Sequence, residues 1–459
     1  MGIRTDRERV GRVKTIHGIG ILGCLMVLSS STACSLDDIL QVTIPGQVTE
    51  QNLDDPTKAP VLATSVVGDF ECAWNAYTMG TSYISDEWLS STSNSSLLAW
   101  GVRRIDGSVL GTCDGTQNFG IFLPLQTARF QAADIFGRIE AFSDNAVANK
   151  ALLLATVRAY QGFALLALGE AFCSMAIDGG PRLTPVHVWT LAEGTFAEAL
   201  TLAQQAQSTD VQTLARAGRA RARLDLQNFA GAIADAQAVP AGYQKVVSRG
   251  AEEQRRWNST FEFLNSDEPG FHANGSIANN FRNLTVNSVG VHTQGSGTAD
   301  SRLVAQTTGR VGFDDATVHY FHPKYISRST PLSLATYKEA QLVIAEAAAR
   351  SGDLTTARTV INARHMAAGL PLWDVGATAT QTDVVRHALD ERARELFSEG
   401  GWRLNDMLRF RGTPLGIPFR GEAGSIHPNG VSQTGVTYGA TTCLPLPNAE
   451  EQGNRNLRP

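Results

Sequence analysis

Apolar positions three and four residues apart dominate two long stretches of this chain. LQTARFQAADIFGRIEAF (125–142) and ALLLATVRAYQGFALLALGEAF (151–172) both carry that period, which predicts helices from Leu123 to about Phe172. In the second stretch Ala155, Ala159, Gly162, Ala167 and Gly169 are small enough to let another helix approach closely, and Gly179-Gly180-Pro181 ends the run. Helical spacing returns over 190–206 and 211–238, turning near Gln227-Asn228, and again from Leu332. Upstream, Leu53-Asp54-Asp55-Pro56 reads as a helix start, with Asp as cap and Pro in the first turn, continuing through 60–78. Between these blocks the period fails. Residues 80–117 read as a long loop with exposed aromatics. Residues 240–330, with Gly250, Pro269-Gly270, Asn274-Gly275 and Gly295/Gly297, read as an insertion with short strands near 301–306 and 317–321.

Two segments repeat one pattern. ARARLDLQNFAGAIADAQAV (220–239) and AEAAARSGDLTTARTVINAR (345–364) each place a small residue twelve positions before an alanine, Ala220 to Ala232 and Ala345 to Ala357. A polar turn and one apolar residue, Phe229 or Leu354, lie between. That is the core of a tetratricopeptide-like helix–turn–helix, in which small residues let paired helices interlock. Leu389–Phe410, LDERARELFSEGGWRLNDMLRF, is the densest charged stretch. Asp390 and Arg394, and Glu399 and Arg403, stand one helical turn apart, and Gly400-Gly401 predicts two helices or one sharp kink. Charges at this density beside aromatics are costly unless they pair in a packed structure, so the stretch is either a scaffold lock or a site.

Charge narrows the address. At 459 residues the chain can bury a large core, and a net charge of −5 offers nothing to nucleic acid. Basic residues cluster at the start, where Arg4, Arg7, Arg9, Arg12 and Lys14 precede an apolar run from Ile16 to Leu28 too short to span a bilayer. Ser29-Ser30-Ser31-Thr32-Ala33-Cys34 follows, similar to the lipobox of a bacterial lipoprotein, with Ser31 where Leu is usual. Residues 1–33 therefore read as a signal peptide and Cys34 as the lipidated residue. A secretory signal cut near Ala33 without lipid is the alternative. No other stretch reads as long and apolar enough to span. The leader holds five basic and two acidic residues, so the remainder stands at −8. Cys72, Cys113, Cys173 and Cys443 remain, an even number that permits two disulfides outside the cytosol. Cys72–Cys113, both in the N-terminal third, and Cys173–Cys443 are the expected pairs.

In order along the chain, several pieces resemble the SusD/RagB family of outer-membrane nutrient-uptake lipoproteins: Cys34 followed by SLDD, YISDEW (83–88), VRAYQGFALLALGEAF (157–172) and YKEAQLVIAEAAARSGDLTTARTVINARHMAAGLP (337–371). ERARELFSEGGWRLNDMLRF (391–410) and the tail LPLPNAEEQGNRNLRP (444–459) complete the likeness, with the double glycine before Trp402 as a departure. The resemblance implies a mainly α fold, in which tetratricopeptide-like helical pairs form a SusD-like scaffold with a large loop-rich insertion and few short strands. It divides the chain into a signal peptide (1–33), a lipid-anchored tether (34–55) and a single domain (56–459). Within that domain the scaffold lies at about 120–240 and 331–411, ligand-side regions at about 80–117 and 240–330, and a tail at 412–459. It implies no catalysis and no cofactor. The protein would sit on the cell outer membrane facing outward, capture an oligosaccharide or other nutrient oligomer, and pass it to a SusC-like TonB-dependent transporter.

Glycan capture needs flat aromatic faces and planar polar side chains. The expected ligand-binding residues are Trp74, Tyr83, Trp100, Phe119, Trp257, Phe271 and Asn274. Trp88 belongs to the YISDEW pattern and is expected to pack. Asp86-Glu87 or Glu395/Glu399 as a glycosidase pair is the less favoured alternative, because the arginines near Glu395 and Glu399 keep them ionised. His319-x-x-His322 has no carboxylate or cysteine support, so no metal site is expected. A periplasmic tetratricopeptide-like adaptor for a protein or peptide partner shares the scaffold and stays open as the other function class.

Overall fold

The computed structural model describes residues 53–108, 110–113, 119–266, 273–374 and 378–458; Cys34 and Phe271 lie outside them. The first helix sets the frame. The Asp55 carboxylate accepts from Thr57 N at 2.9 Å and caps a 3₁₀ turn, Pro56–Lys58, that runs straight into α1 (Ala59–Ile84). From Phe70 to Ile84 every residue of α1 is buried, so this is a core helix covered on all sides. It runs six residues past the apolar period that predicts it. Thr81 and Ser82 hydroxyls donate back to the Tyr77 and Thr78 carbonyls, which satisfies those two hydroxyls inside the protein. The expected loop over 80–117 is accordingly part core. It contains β1 (Trp88–Ser90) and the short helix α2 (Ser95–Gly101), which Asn94 caps.

Next come α3 (Phe122–Ala141), α4 (Lys150–Ala171), α5 (Pro185–Gln205), α6 (Thr209–Asp225) and α7 (Phe229–Gln237). The Phe196 ring of α5 fills the space beside two glycines: a Cβ at Gly162 would sit 2.7 Å from it and one at Gly218 2.3 Å. Contrary to expectation, α4 is long and apolar enough to cross a membrane, but most of it is buried inside the protein, as suits a core helix.

The repeated segments form the same hairpin. α6 and α7 turn through Gln227 (φ 60°), and Asn228 caps α7 by accepting from Gly231 N. α8 (Tyr337–Arg350) and α9 (Leu354–Ala367) turn through Gly352 (φ 88°), and Asp353 accepts from Thr356 N. Ala220, Ala232, Ala345 and Ala357 are buried where the helices cross. Helical pairs with few short strands are thus the architecture.

The insertion between the pairs holds β2 (Gln244–Val247), β3 (Gly275–Ile277), β4 (Leu284–Val286), β5 (His292–Gln294), β6 (Thr298–Ala299), β7 (Gln306–Val311), β8 (Val318–Phe321) and β9 (Leu332–Thr336). The first expected strand lies later than 301–306, at β7, and the second is β8. β2 and β9 pair antiparallel, Gln244 opposite Thr336 and Val247 opposite Leu332, and so close the base of the insertion. β1 pairs with β3, β4 lies between β5 and β6, and β7 pairs with β8. Every ladder has two or three strands, so the insertion depends on packing against helices.

α10 (Gln381–Glu395) begins at a reciprocal Thr380–Asp383 capping box, and Ser398, Gly400 and Gly401 all take positive φ before α11 (Trp402–Arg409). The charges here do not pair as the one-turn spacing predicts. Arg394 bonds Asp300 at 3.1 Å, Arg403 grips Asp86 with two bonds of 2.6 Å, and Glu399 meets Lys324. Arg392 holds both Asp406 oxygens, at 2.8 and 2.9 Å, and Glu346 of α8. Arg409 donates to Glu346 at 2.8 and 2.9 Å and to Asp406 at 2.6 Å. Arg221 of α6 reaches Glu170 with two bonds of 2.6 Å and the Gly400 carbonyl at 2.5 Å. The stretch is a lock joining α1, α4, α6, α8 and the insertion. The tail adds α12 (Asn448–Gly453). Cys72 is bonded to Cys113 and Cys173 to Cys443.

Candidate functional site

Residues of the 95–108 segment and Phe119 line a cleft at the end of α1, of about 200 Å³, with Ser95, Ser96, Trp100, Arg104, Asp106 and Ser108 among them. Trp100 and Phe119 meet edge to face, centroids 4.9 Å apart, and rest on Gly80, where a Cβ would lie 2.8 Å from the Trp100 ring and 3.2 Å from the Phe119 ring. Only glycine on α1 leaves room for that floor. Arg103 turns the chain at φ 57° and points its own guanidinium inward, donating to the Gly439 carbonyl at 2.9 Å, while Arg104 is left exposed at the rim. Asp106 accepts from the Ser108 amide and hydroxyl, and those bonds hold its carboxyl below the ordinary range, so the rim carries a fixed anion. The tail secures the other side, with Asn448 N donating to the Gly107 carbonyl at 2.7 Å. The Cys72–Cys113 bond ties the connecting loop to α1.

The expected ligand residues divide. Trp74 is 1 % exposed, stacks on Phe70, meets Tyr77 at a tilt, and donates from Nε1 to the Ser333 carbonyl at 2.9 Å, so it is core rather than platform. Tyr83 is fully buried against Trp88, with centroids 5.0 Å apart. Both expectations are corrected for one reason: α1 extends past the end of its apolar period at residue 78, and its middle is enclosed. Asn274 is buried, its Oδ1 accepting from the Thr92 hydroxyl at 2.5 Å. Trp257 is half-buried under the Arg328 guanidinium, 3.9 Å from its ring centre, with Nε1 donating to the Ala251 carbonyl. Trp100 and Phe119 do reach the cleft, but as its floor; at 5 % and 2 % exposure they offer edges, not stacking faces. Arg104, Asp106 and the serines, which a search for aromatics passes over, supply its polar groups. Their signal was the Asp106-Gly107-Ser108 turn beside paired arginines.

A second cavity, about 360 Å³, is charged throughout, with Arg302, His322, Lys324, Lys338, Arg364, Glu395 and Glu399 in its wall. Its carboxylates are paired: Glu395 with Lys338 at 2.8 Å and Glu399 with Lys324. Burial and the neighbouring Lys338 push the Lys324 ammonium down to about 7. Asp86 and Glu87 do not face a common space, since Asp86 holds Arg403 and Glu87 accepts from Ser398 N at 2.8 Å. His319 and His322 are spent on the Leu264 and Arg302 carbonyls, at 2.5 and 3.2 Å.

Residues 335–456 match the SusD family. The fold as a whole is similar to a SusD-like carbohydrate binding protein from Bacteroides vulgatus, at 15% identity and TM-score 0.63, covering 88% of this chain and 97% of that one. A SusD-like protein from Bacteroides fragilis is similar at 13% identity and TM-score 0.64, over 92% and 98%. A SusD superfamily protein from Parabacteroides distasonis is similar at 13% and 0.62, over 90% and 99%. At these identities the structural likeness establishes the fold. No curated protein matches the chain.

Proposed function

We propose that this protein is a non-catalytic glycan-capturing lipoprotein of the outer membrane, a reading supported by the match of residues 335–456 to the SusD family and by the SusD-like fold of the described chain. It is anchored through Cys34 after loss of residues 1–33, faces outward, and hands its ligand to a SusC-like TonB-dependent transporter. The observation that carries the reading is the Trp100–Phe119 cleft set on this frame: a fixed anion at Asp106, an exposed guanidinium at Arg104 and three serine hydroxyls over an apolar floor. Both carboxylates of the charged cavity are ion-paired, and the cleft is lined by a single carboxylate, Asp106. Arg104 and Asp106 suit sugar hydroxyls as donor and acceptor, above an apolar floor. At about 200 Å³ the cleft is smaller than the roughly 300–1,000 Å³ of sites that engulf a drug-sized ligand, so it takes an end of an oligomer rather than its length.

The test uses the soluble form lacking residues 1–34 in calorimetry against a glycan panel. One class of oligosaccharide should bind, and Arg104→Ala with Asp106→Ala should weaken it at least tenfold without changing the melting temperature. Binding that survives both substitutions rejects the cleft, and no binding across a broad panel, with a peptide library retained instead, rejects glycan capture in favour of the adaptor. Co-purification of a large β-barrel from native membranes tests delivery separately.

A further inference from the structure

Three histidines and a glutamate from three separate elements converge inside the protein, between the insertion and the second helical pair. His292 is on β5, His365 near the end of α9, and His387 and Glu391 one turn apart on α10; a donor atom of each lies within 4.8 Å of every other. His292 Nε2 and His365 Nε2 approach the same oxygen, Glu391 Oε1, at 2.5 and 2.6 Å, and His387 Nε2 stands 3.8 Å from it. The side chains of His365 and Glu391 are fully buried and those of His292 and His387 are 7 % exposed.

Both nitrogens of His365 are engaged, Nδ1 by the Pro371 carbonyl at 2.5 Å and Nε2 by the carboxylate, so with Nδ1–H donating to Pro371 the Nε2 is the atom free to ligate. His387 Nε2 is buried with no hydrogen-bond partner, an unusual state for a polar ring atom inside a protein. A cation at the centre would meet lone pairs from all three rings and one carboxylate oxygen.

We propose that His292, His365, His387 and Glu391 form a closed four-ligand site for a divalent d-block cation, Zn²⁺. A zinc tetrahedron with bonds of about 2.0–2.1 Å has edges near 3.3 Å, and the observed separations of 2.5 to 4.8 Å bracket that length. Three imidazoles with one carboxylate are a zinc-type donor set. The outer contacts are those of a ligating site as well. His365 Nδ1–H donates to Pro371, Arg302 donates to the second oxygen of Glu391, and the His387 ring lies between Trp373 and His292, with centroids 4.1 and 4.3 Å away. Asp300, Asp390 and Glu391 offset Arg302 and Arg394 around the cluster, so a dication is electrostatically admissible. Binding displaces to solvent the protons shared with Glu391. The ion would clamp β5, and with it the insertion, to α9 and α10, whatever ligand the Trp100–Phe119 cleft takes. His387-x-x-x-Glu391 was legible as one helix face, but His292 and His365 come from nearly a hundred residues upstream and from another helix.

The test is titration of tag-free, chelator-stripped protein lacking residues 1–34, first with Co²⁺ and then with Zn²⁺. The four remaining cysteines are in disulfides and do not compete. One Co²⁺ per chain with the visible bands of tetrahedral cobalt, displaced by one equivalent of Zn²⁺, and a higher melting temperature with zinc support the site. His387→Phe keeps the stack on Trp373 and removes a ligand; it should fold and bind at least 100-fold more weakly, while His322→Gln binds like the parent. Folded parent protein that takes up no stoichiometric metal overturns the proposal, as does a His387→Phe variant with unchanged affinity.

Discussion

Glu346 is the most exacting test of the lock between helices. It is fully buried on α8 and receives N–H groups from three arginines: Arg392, Arg409 at 2.8 and 2.9 Å, and Arg350 at 3.3 Å. Glu346→Gln keeps the volume but removes the charge and turns an NH₂ group toward guanidinium N–H groups. Arg392 and Arg409 would then share Asp406, with Asp225 3.3 Å from Arg409. Removing one partner of a buried pair costs about 3–5 kcal/mol, because the remaining charge stays out of water. Against a total of about 5–15 kcal/mol that is a large fraction. Urea unfolding followed by tryptophan fluorescence reads it directly, since Trp402 lies between Arg221 and Arg392, 4.1 and 4.6 Å from its ring. A double-mutant cycle with Arg409→Gln should give a coupling above about 2 kcal/mol. A loss below about 1 kcal/mol, the range of exposed pairs, would refute the reasoning and mark the lock as ornamental to stability.

Four further outcomes follow from the same geometry. Gly401→Ala should cost about 2–4 kcal/mol in urea titration, combining a φ of 73° with a Cβ only 2.3 Å from the Tyr77 hydroxyl, whereas Gly352→Ala, at φ 88° in open space, should cost about 1–2 kcal/mol. Reducing Cys173–Cys443, which closes a separation of 270 residues, should lower stability by about 4–5 kcal/mol, and an unchanged melting temperature in reductant would contradict this. Burial would raise the Glu346 carboxyl, but Arg409 and Arg392 outweigh it and hold the folded value well below the ordinary range; its stabilisation should persist above the unfolded value near 4.3 and be lost as pH falls below it, a slope that Glu346→Gln flattens. Glu87 runs the other way: burial raises it to about 7, so folding loses stability as pH rises from about 4.3 to 7, and Glu87→Gln should gain on the parent between pH 5 and pH 8.

What the sequence by itself determined was everything that short-range periodicity and turn chemistry encode. The two helical pairs were legible because Ala220/Ala232 and Ala345/Ala357 mark crossings that admit only small side chains, and because Asn228 and Asp353 cap the second helix of each. The break at Gly400-Gly401 was legible because their positive φ favours glycine. Tertiary structure alone decided the charges and the aromatics. Arg394 and Arg403 stand one turn from acidic residues, yet pair with Asp300 and, through two bonds, with Asp86, because a buried guanidinium gains more from a desolvated partner than from an exposed neighbour on its own helix. Trp74 and Tyr83 have the residue type of a binding platform and the environment of a core, and only the packing of α1 separates the two. His292, His365, His387 and Glu391 meet because folding closes gaps of up to ninety-nine residues, a convergence that no spacing along the chain announces.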